Sequence, residues 1–179
     1  MRFSDEKARA LFMKYALPCA GTLVKRGTVK GSEARDLMEK ASSGIEMPKG
    51  SEKIFKTALR ECEKIARKSG KASIGTESVR KYFFFGHDDA VRKRYKKFRD
   101  FDPASCAVYP GKVKSAGDGK AVVETPMKAS EFSTRLCPEI KKGDWVSVHR
   151  NFIAEKISPK LANSLWRRKR AKEMARARH

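Results

Sequence analysis

Four cysteines supply the soft metal ligands of this chain: Cys19, Cys62, Cys106 and Cys137, spaced 43, 44 and 31 residues apart. With no C-x-x-C pair there is no local zinc ribbon, structural zinc is not expected, and in a reducing compartment all four should be free thiols. Cys106 stands out. It opens the run Cys106-Ala107-Val108-Tyr109-Pro110-Gly111-Lys112-Val113, and about forty residues later comes Gly143-Asp144-Trp145-Val146-Ser147-Val148-His149-Arg150-Asn151-Phe152-Ile153-Ala154. A thiolate is a soft ligand for low-valent iron, and at a barrel edge it leaves coordination positions open to a partner. Catalytic signatures are missing. The sequence holds no P-loop, H-E-x-x-H, G-x-S-x-G or Gly-rich dinucleotide fingerprint, so the chain is not expected to be an enzyme. Asp88-Asp89 behind His87 reads as a pair of first-turn helix acids, and Cys19, in Leu17-Pro18-Cys19-Ala20-Gly21, as a packed small residue.

The elements that would position these residues change character near Pro103. Before it the periodicity is helical. Ser4 is placed to cap a helix with Asp5 and Glu6 in its first turn and Ala8, Leu11, Phe12 and Tyr15 along one face, and Pro18 forces a break or a restart. A second helix starts near Ser32 and stops at Ser42-Ser43-Gly44. The third, from Ser51 to about Ser69, lines Ile54, Phe55, Ala58, Leu59, Cys62, Ile65 and Ala66 on one side, which places Cys62 in the core. A fourth runs from Thr76 to a stop at Gly86, and a basic helix from His87 to Phe98 follows.

After Pro103 the pattern alternates. Residues 106–114, 120–124, 130–137 and 145–157 are strand-like, separated by Gly117-Asp118-Gly119, Thr125-Pro126 and Lys142-Gly143-Asp144 turns. Four or five short strands are too few for a sandwich, and closure into a small OB-like or SH3-like barrel protects the sheet edges. Ser158-Pro159 opens a last helix with Leu161, Leu165 and Trp166 available for docking. From Arg167 onward the basic residues predict a charged helix that frays or orders on a partner. The expected architecture is therefore α+β: an all-α region over 1–103, a barrel over 104–158 and a basic helix or tail over 159–179.

The two motif runs resemble the HypC/HupF family of [NiFe]-hydrogenase assembly chaperones. Members of that family open with Met-Cys, pass through three mostly apolar residues into Pro-Gly-Lys-Val, and close with G-D-x-V-x-V-H-x-G-F-A. The resemblance covers about residues 105–165. Ser105 stands before the cysteine in place of the initiator Met, Asn151 replaces the family's Gly and Ile153 its Ala. What the resemblance implies is an OB-like barrel that carries a transient iron with cyanide and carbon monoxide ligands. It implies Cys106 as iron ligand and docking point with an accessible sulfur. It implies further that His149 lies nearby, either ligating or lowering the thiol pKa as imidazolium, with Pro110, Gly111, Lys112 and Phe152 as motif or partner-binding positions. The partner would be a maturation-complex protein or a hydrogenase large-subunit precursor. The alternative is a buried barrel cysteine and a satisfied histidine.

Charge carries a second reading. The chain has 42 Lys and Arg against 21 Asp and Glu, a net +21, and 35% of its residues are charged where about 25% is usual. Arg92, Lys93, Arg94, Tyr95, Lys96 and Lys97, then Trp166, Arg167, Arg168, Lys169 and Arg170, interleave cations with stacking surfaces suited to RNA or another polyanion, which makes an RNA- or ribosome-associated protein the alternative reading. No stretch approaches the roughly 20 apolar residues of a membrane span, and the acidic start differs from a signal peptide, so a cytoplasmic protein is expected.

Overall fold

The structure is a computed structural model that describes residues 2–95 and 103–176. It divides into two units, Met1–Ala107 and Val108–His179.

The first unit is helical. Helix α1 (Glu6–Ala16) is capped by Asp5, not Ser4: the Asp5 carboxylate accepts from the Ala8 backbone N–H, while Ser4 Oγ donates to Asp5. A carboxylate at this position satisfies an orphan donor and meets the positive end of the helix dipole, which outweighs the hydroxyl one residue earlier. Pro18 offers no N–H to extend α1, so the chain tightens into a 3₁₀ turn, Leu17–Cys19, and restarts as α2 (Ala20–Lys25). Then follow α3 (Gly31–Ser42) and α4 (Lys56–Lys68), the latter entered through a 3₁₀ turn, Ser51–Phe55. Helix α5 (Thr76–Lys81) does not stop at Gly86. It widens into a π-helical turn, Tyr82–Gly86, and continues as α6 (His87–Tyr95). The turn has a physical use. Three successive aromatics, Tyr82, Phe83 and Phe84, are all buried, and an ordinary α-helical pitch would swing one of them to solvent. The remainder of the basic helix read to Phe98, including Lys96 and Lys97, lies outside the described residues.

Phe83 centres the core of this unit. It stacks on Tyr15 at 4.8 Å and meets Phe12 edge-on at 6.1 Å, tying α1 to the π turn. Such aromatic pairs contribute about 0.5–1.5 kcal/mol each beyond burial.

The second unit is a closed barrel. Strands β1 (Val108–Gly117), β2 (Lys120–Glu124), β3 (Ala129–Ser133), β4 (Trp145–His149) and β5 (Phe152–Lys156) close in the order β1-β2-β3-β5-β4, with β4 returning to β1. All pairings are antiparallel except β3 with β5. The single strand-like stretch read over 145–157 is two strands, because Arg150 takes a left-handed conformation and reverses the chain at Arg150-Asn151. Val113, Ala121, Val123, Ile140, Val146, Val148 and Ile153 fill the barrel. Helix α7 (Pro159–Arg176) is helical well past Arg167. Ala162, Leu165 and Lys169 are buried along one face, which packs on β1 and β4. Among the described residues, no helix is long and apolar enough to cross a membrane.

Candidate metal centre

Three segments of the helical unit converge on one point. Cys19 ends the 3₁₀ turn that Pro18 imposes between α1 and α2. His87 is the first residue of α6, and its backbone N–H closes the π turn on the Tyr82 carbonyl. Cys106 ends a third 3₁₀ turn, Pro103–Cys106, packed against α6. Cys106 therefore precedes the first barrel strand. It is also 3% exposed, which corrects the expectation of an accessible sulfur at a strand start.

The ligand atoms of Cys19, His87 and Cys106 lie within 4.8 Å of one another. The two sulfurs are 3.1 Å apart, and all four cysteines of the chain are free thiols. Aromatic packing holds the imidazole: its ring lies 5.4 Å from Phe83 and meets Tyr82 edge-on at 5.9 Å. Its Nδ1 stands 3.4 Å from the carboxylate of buried Asp88. Burial works against protonation of His87, but hydrogen bonds to Asp88 and Cys106 outweigh it and hold its pKa above the ordinary histidine value. Asp88, read from the sequence as a first-turn acid, is thus also the partner that orients the imidazole. Cys62, by contrast, is fully buried on α4, and its thiol pKa is pushed far up by that burial and by Glu61 and Glu63.

A cavity of about 150 Å³ opens beside this cluster, lined by Cys19, His87 and Cys106 together with Phe55, Tyr82 and Val91 and edged by Arg26, Lys56 and Arg94. Two thiolates and an imidazole are a donor set for a borderline-soft divalent ion or for iron.

The barrel residues of the motif fall into place differently. His149 is fully buried at the end of β4, with Val108 of β1 and Phe152 of β5 as its register partners. Pro110 and Gly111 are buried in β1, while Lys112 is exposed with its ammonium 5.5 Å above the Trp145 ring, and Phe152 is half-buried. Gly111 has a packing reason: an added Cβ would stand 2.3 Å from Val123 Cγ1.

Among the residues singled out for a polyanion, Lys169 is 5% exposed, with its ammonium 5.4 Å from the Tyr109 ring, and Trp166 packs edge-on against Trp145 at 5.9 Å. Lys169 is a packing residue, because it falls four residues after Leu165 on the buried face of α7. Arg167, Arg168 and Arg170 are exposed. On α6, Lys93 and Arg94 are exposed, Arg92 and Tyr95 half-buried, and Arg26 donates to the Tyr95 hydroxyl at 3.1 Å.

Sequence reasoning missed Cys19 and His87 as ligands. Neither has a partner at motif spacing, and the only local signals were the break at Pro18 and the His87-Asp88 pair.

No curated protein matches the chain. The profile of the HupF/HypC family does match, over residues 106–167. The match begins at Cys106 and ends in α7, leaving the helical elements before Cys106 outside it; over this C-terminal barrel region the chain is similar to the HupF/HypC family.

Proposed function

We propose that the chain is a metallocentre-assembly chaperone or scaffold of the hydrogenase-maturation kind, and that it works by holding and docking, not by catalysis. The observation that carries this reading is the HupF/HypC match that starts at Cys106. In it, Cys106 ligates a transient iron that bears cyanide and carbon monoxide, and that iron is cargo. The donor chemistry fits: a cysteine sulfur beside a second sulfur and an imidazole suits iron. His149 is the proposed barrel donor. Val108 sits directly opposite it in the sheet, and Cys106 is two residues upstream of Val108 along the chain. Exposed Lys112 and half-buried Phe152 are the motif side chains offered to a maturation-complex protein or a large-subunit precursor in the cytoplasm. Buried Pro110 and Gly111 shape the strand that presents them.

The test is full-length protein, coexpressed with hydrogenase-maturation proteins and purified without oxygen, with iron analysis and infrared spectroscopy. Iron accompanied by cyanide and carbon monoxide stretching bands is expected, and both should disappear in C106S. Iron-free wild-type protein with reduced thiols and no such bands overturns the reading.

A second reading has one observation behind it. A net charge of +21, with Arg167, Arg168 and Arg170 exposed on α7, favours a nucleic-acid partner, and RNA is the ligand it names.

A further inference from the structure

We infer that Cys19, His87 and Cys106 form a metal site of the helical unit, taking one divalent ion of zinc-like character. The inference stands apart from the assembly reading, since it requires neither the barrel nor an iron cargo, and two of its three donors precede the family match. A tetrahedral ion with metal–sulfur bonds near 2.3 Å and metal–nitrogen bonds near 2.0–2.1 Å sets its ligands roughly 3.5–3.8 Å apart. The three donor atoms already lie within 4.8 Å, and the sulfurs at 3.1 Å need only open slightly. Small side-chain movements therefore complete the site.

The surroundings are those of a built site. His87 presents Nδ1 to the Asp88 carboxylate at 3.4 Å, the arrangement by which an acid behind a ligating imidazole fixes the ring and leaves Nε2 to the metal. Phe83 and Tyr82 fix the ring plane. Pro18 fixes the turn that aims Cys19. Binding is balanced by loss of protons: whatever hydrogens the two sulfurs and the ligating nitrogen of His87 carry leave to solvent as the ion takes their place, and no electron is transferred. The adjoining cavity of about 150 Å³, lined in part by these three residues, gives an ion access to them.

Full-length protein with its thiols shown to be reduced, stripped by chelator and titrated with cobalt(II), should bind one equivalent. It should develop thiolate-to-cobalt charge transfer and the intense visible bands of a tetrahedral ion, and zinc(II) should bleach both. C19S and C106S should each weaken cobalt binding by at least about 100-fold, beyond the roughly 10–100-fold that changes in a ligand's hydrogen-bond partners reach, while C137S leaves it unchanged. Zinc-edge X-ray absorption on the wild-type protein tests the site without any variant and should show two sulfur neighbours with nitrogen completing the shell. No cobalt chromophore in reduced wild-type protein, undiminished binding in C19S, or fewer than two sulfurs around zinc would each overturn the site. Absence of iron and of the cyanide and carbon monoxide bands from the wild-type protein, with two-sulfur zinc binding intact, would remove the assembly reading and leave this one standing.

Discussion

Gly111 lies where β1 passes so close to β2 that a methyl group at its Cα has no room: the Cβ would fall 2.3 Å from Val123 Cγ1 and 3.0 Å from the Glu124 carbonyl oxygen. Overpacking of this kind costs about 1–3 kcal/mol. G111A should therefore lower the urea midpoint, and V123A in the same chain should return part of the loss, so that the double variant is less destabilised than the two single losses combined. Strict additivity would show that the crowding is relieved elsewhere. The sequence displayed Gly111 only as one letter of a motif, and the register that makes it obligatory comes from closure of the barrel. Cys106 was legible for the same reason, as part of a contiguous motif. Cys19 and His87 were not, because 87 residues separate Cys19 from Cys106 in the chain and the donors meet only through tertiary packing, including that of the Pro103–Cys106 turn on α6.

At the scale of elements, the turn into β4 shows how a charge pair supports a strand. Asp144 accepts from the Lys141 backbone N–H at 2.8 Å and pairs with Lys156 of β5 at 2.8 Å, while its carbonyl accepts from the Val113 N–H of β1. Hydrogen bonds from Lys156 and from Lys141 hold its carboxyl below the ordinary aspartate value. A depressed folded-state pKa adds stability that is present above the unfolded value, near 3.9, and is lost as pH falls through the folded pKa. D144N should thus be less stable than wild type at pH 7, and the gap should close below about pH 4; a gap that stays constant to acid pH would deny the pairing its role. Element identity was largely readable, since helical and alternating periods change sharply near Pro103. Boundaries were harder where tertiary packing overrode a local signal: Gly86 was passed through because three buried aromatics favoured a π turn over a stop, and β4 and β5 parted at Arg150, which carries no glycine signature.

For the whole molecule, the open question is whether the excess of positive charge is a binding surface. Residues 167–179 hold 7 basic residues and 1 acidic residue. The buried face of α7 divides this segment, since Lys169 lies against Tyr109 while Arg167, Arg168 and Arg170 face solvent. A chain ending at Trp166 keeps Leu165 and the Trp145 contact, so its barrel should fold, with a loss of about 0.5–2 kcal/mol from the missing cation–π pair. If RNA is the partner, log K for single-stranded RNA should fall with log salt at a slope of about −0.7 for each phosphate neutralised, and the truncated chain should bind more weakly with a flatter slope. R167E/R168E/R170E in the full chain should do the same without disturbing Lys169. An unchanged slope in both would move the contact to the run beginning at Arg92. Salt-insensitive or absent binding by the intact protein would eliminate RNA as a partner, leaving the charge as a solvated surface and the thiol cluster as the functional centre.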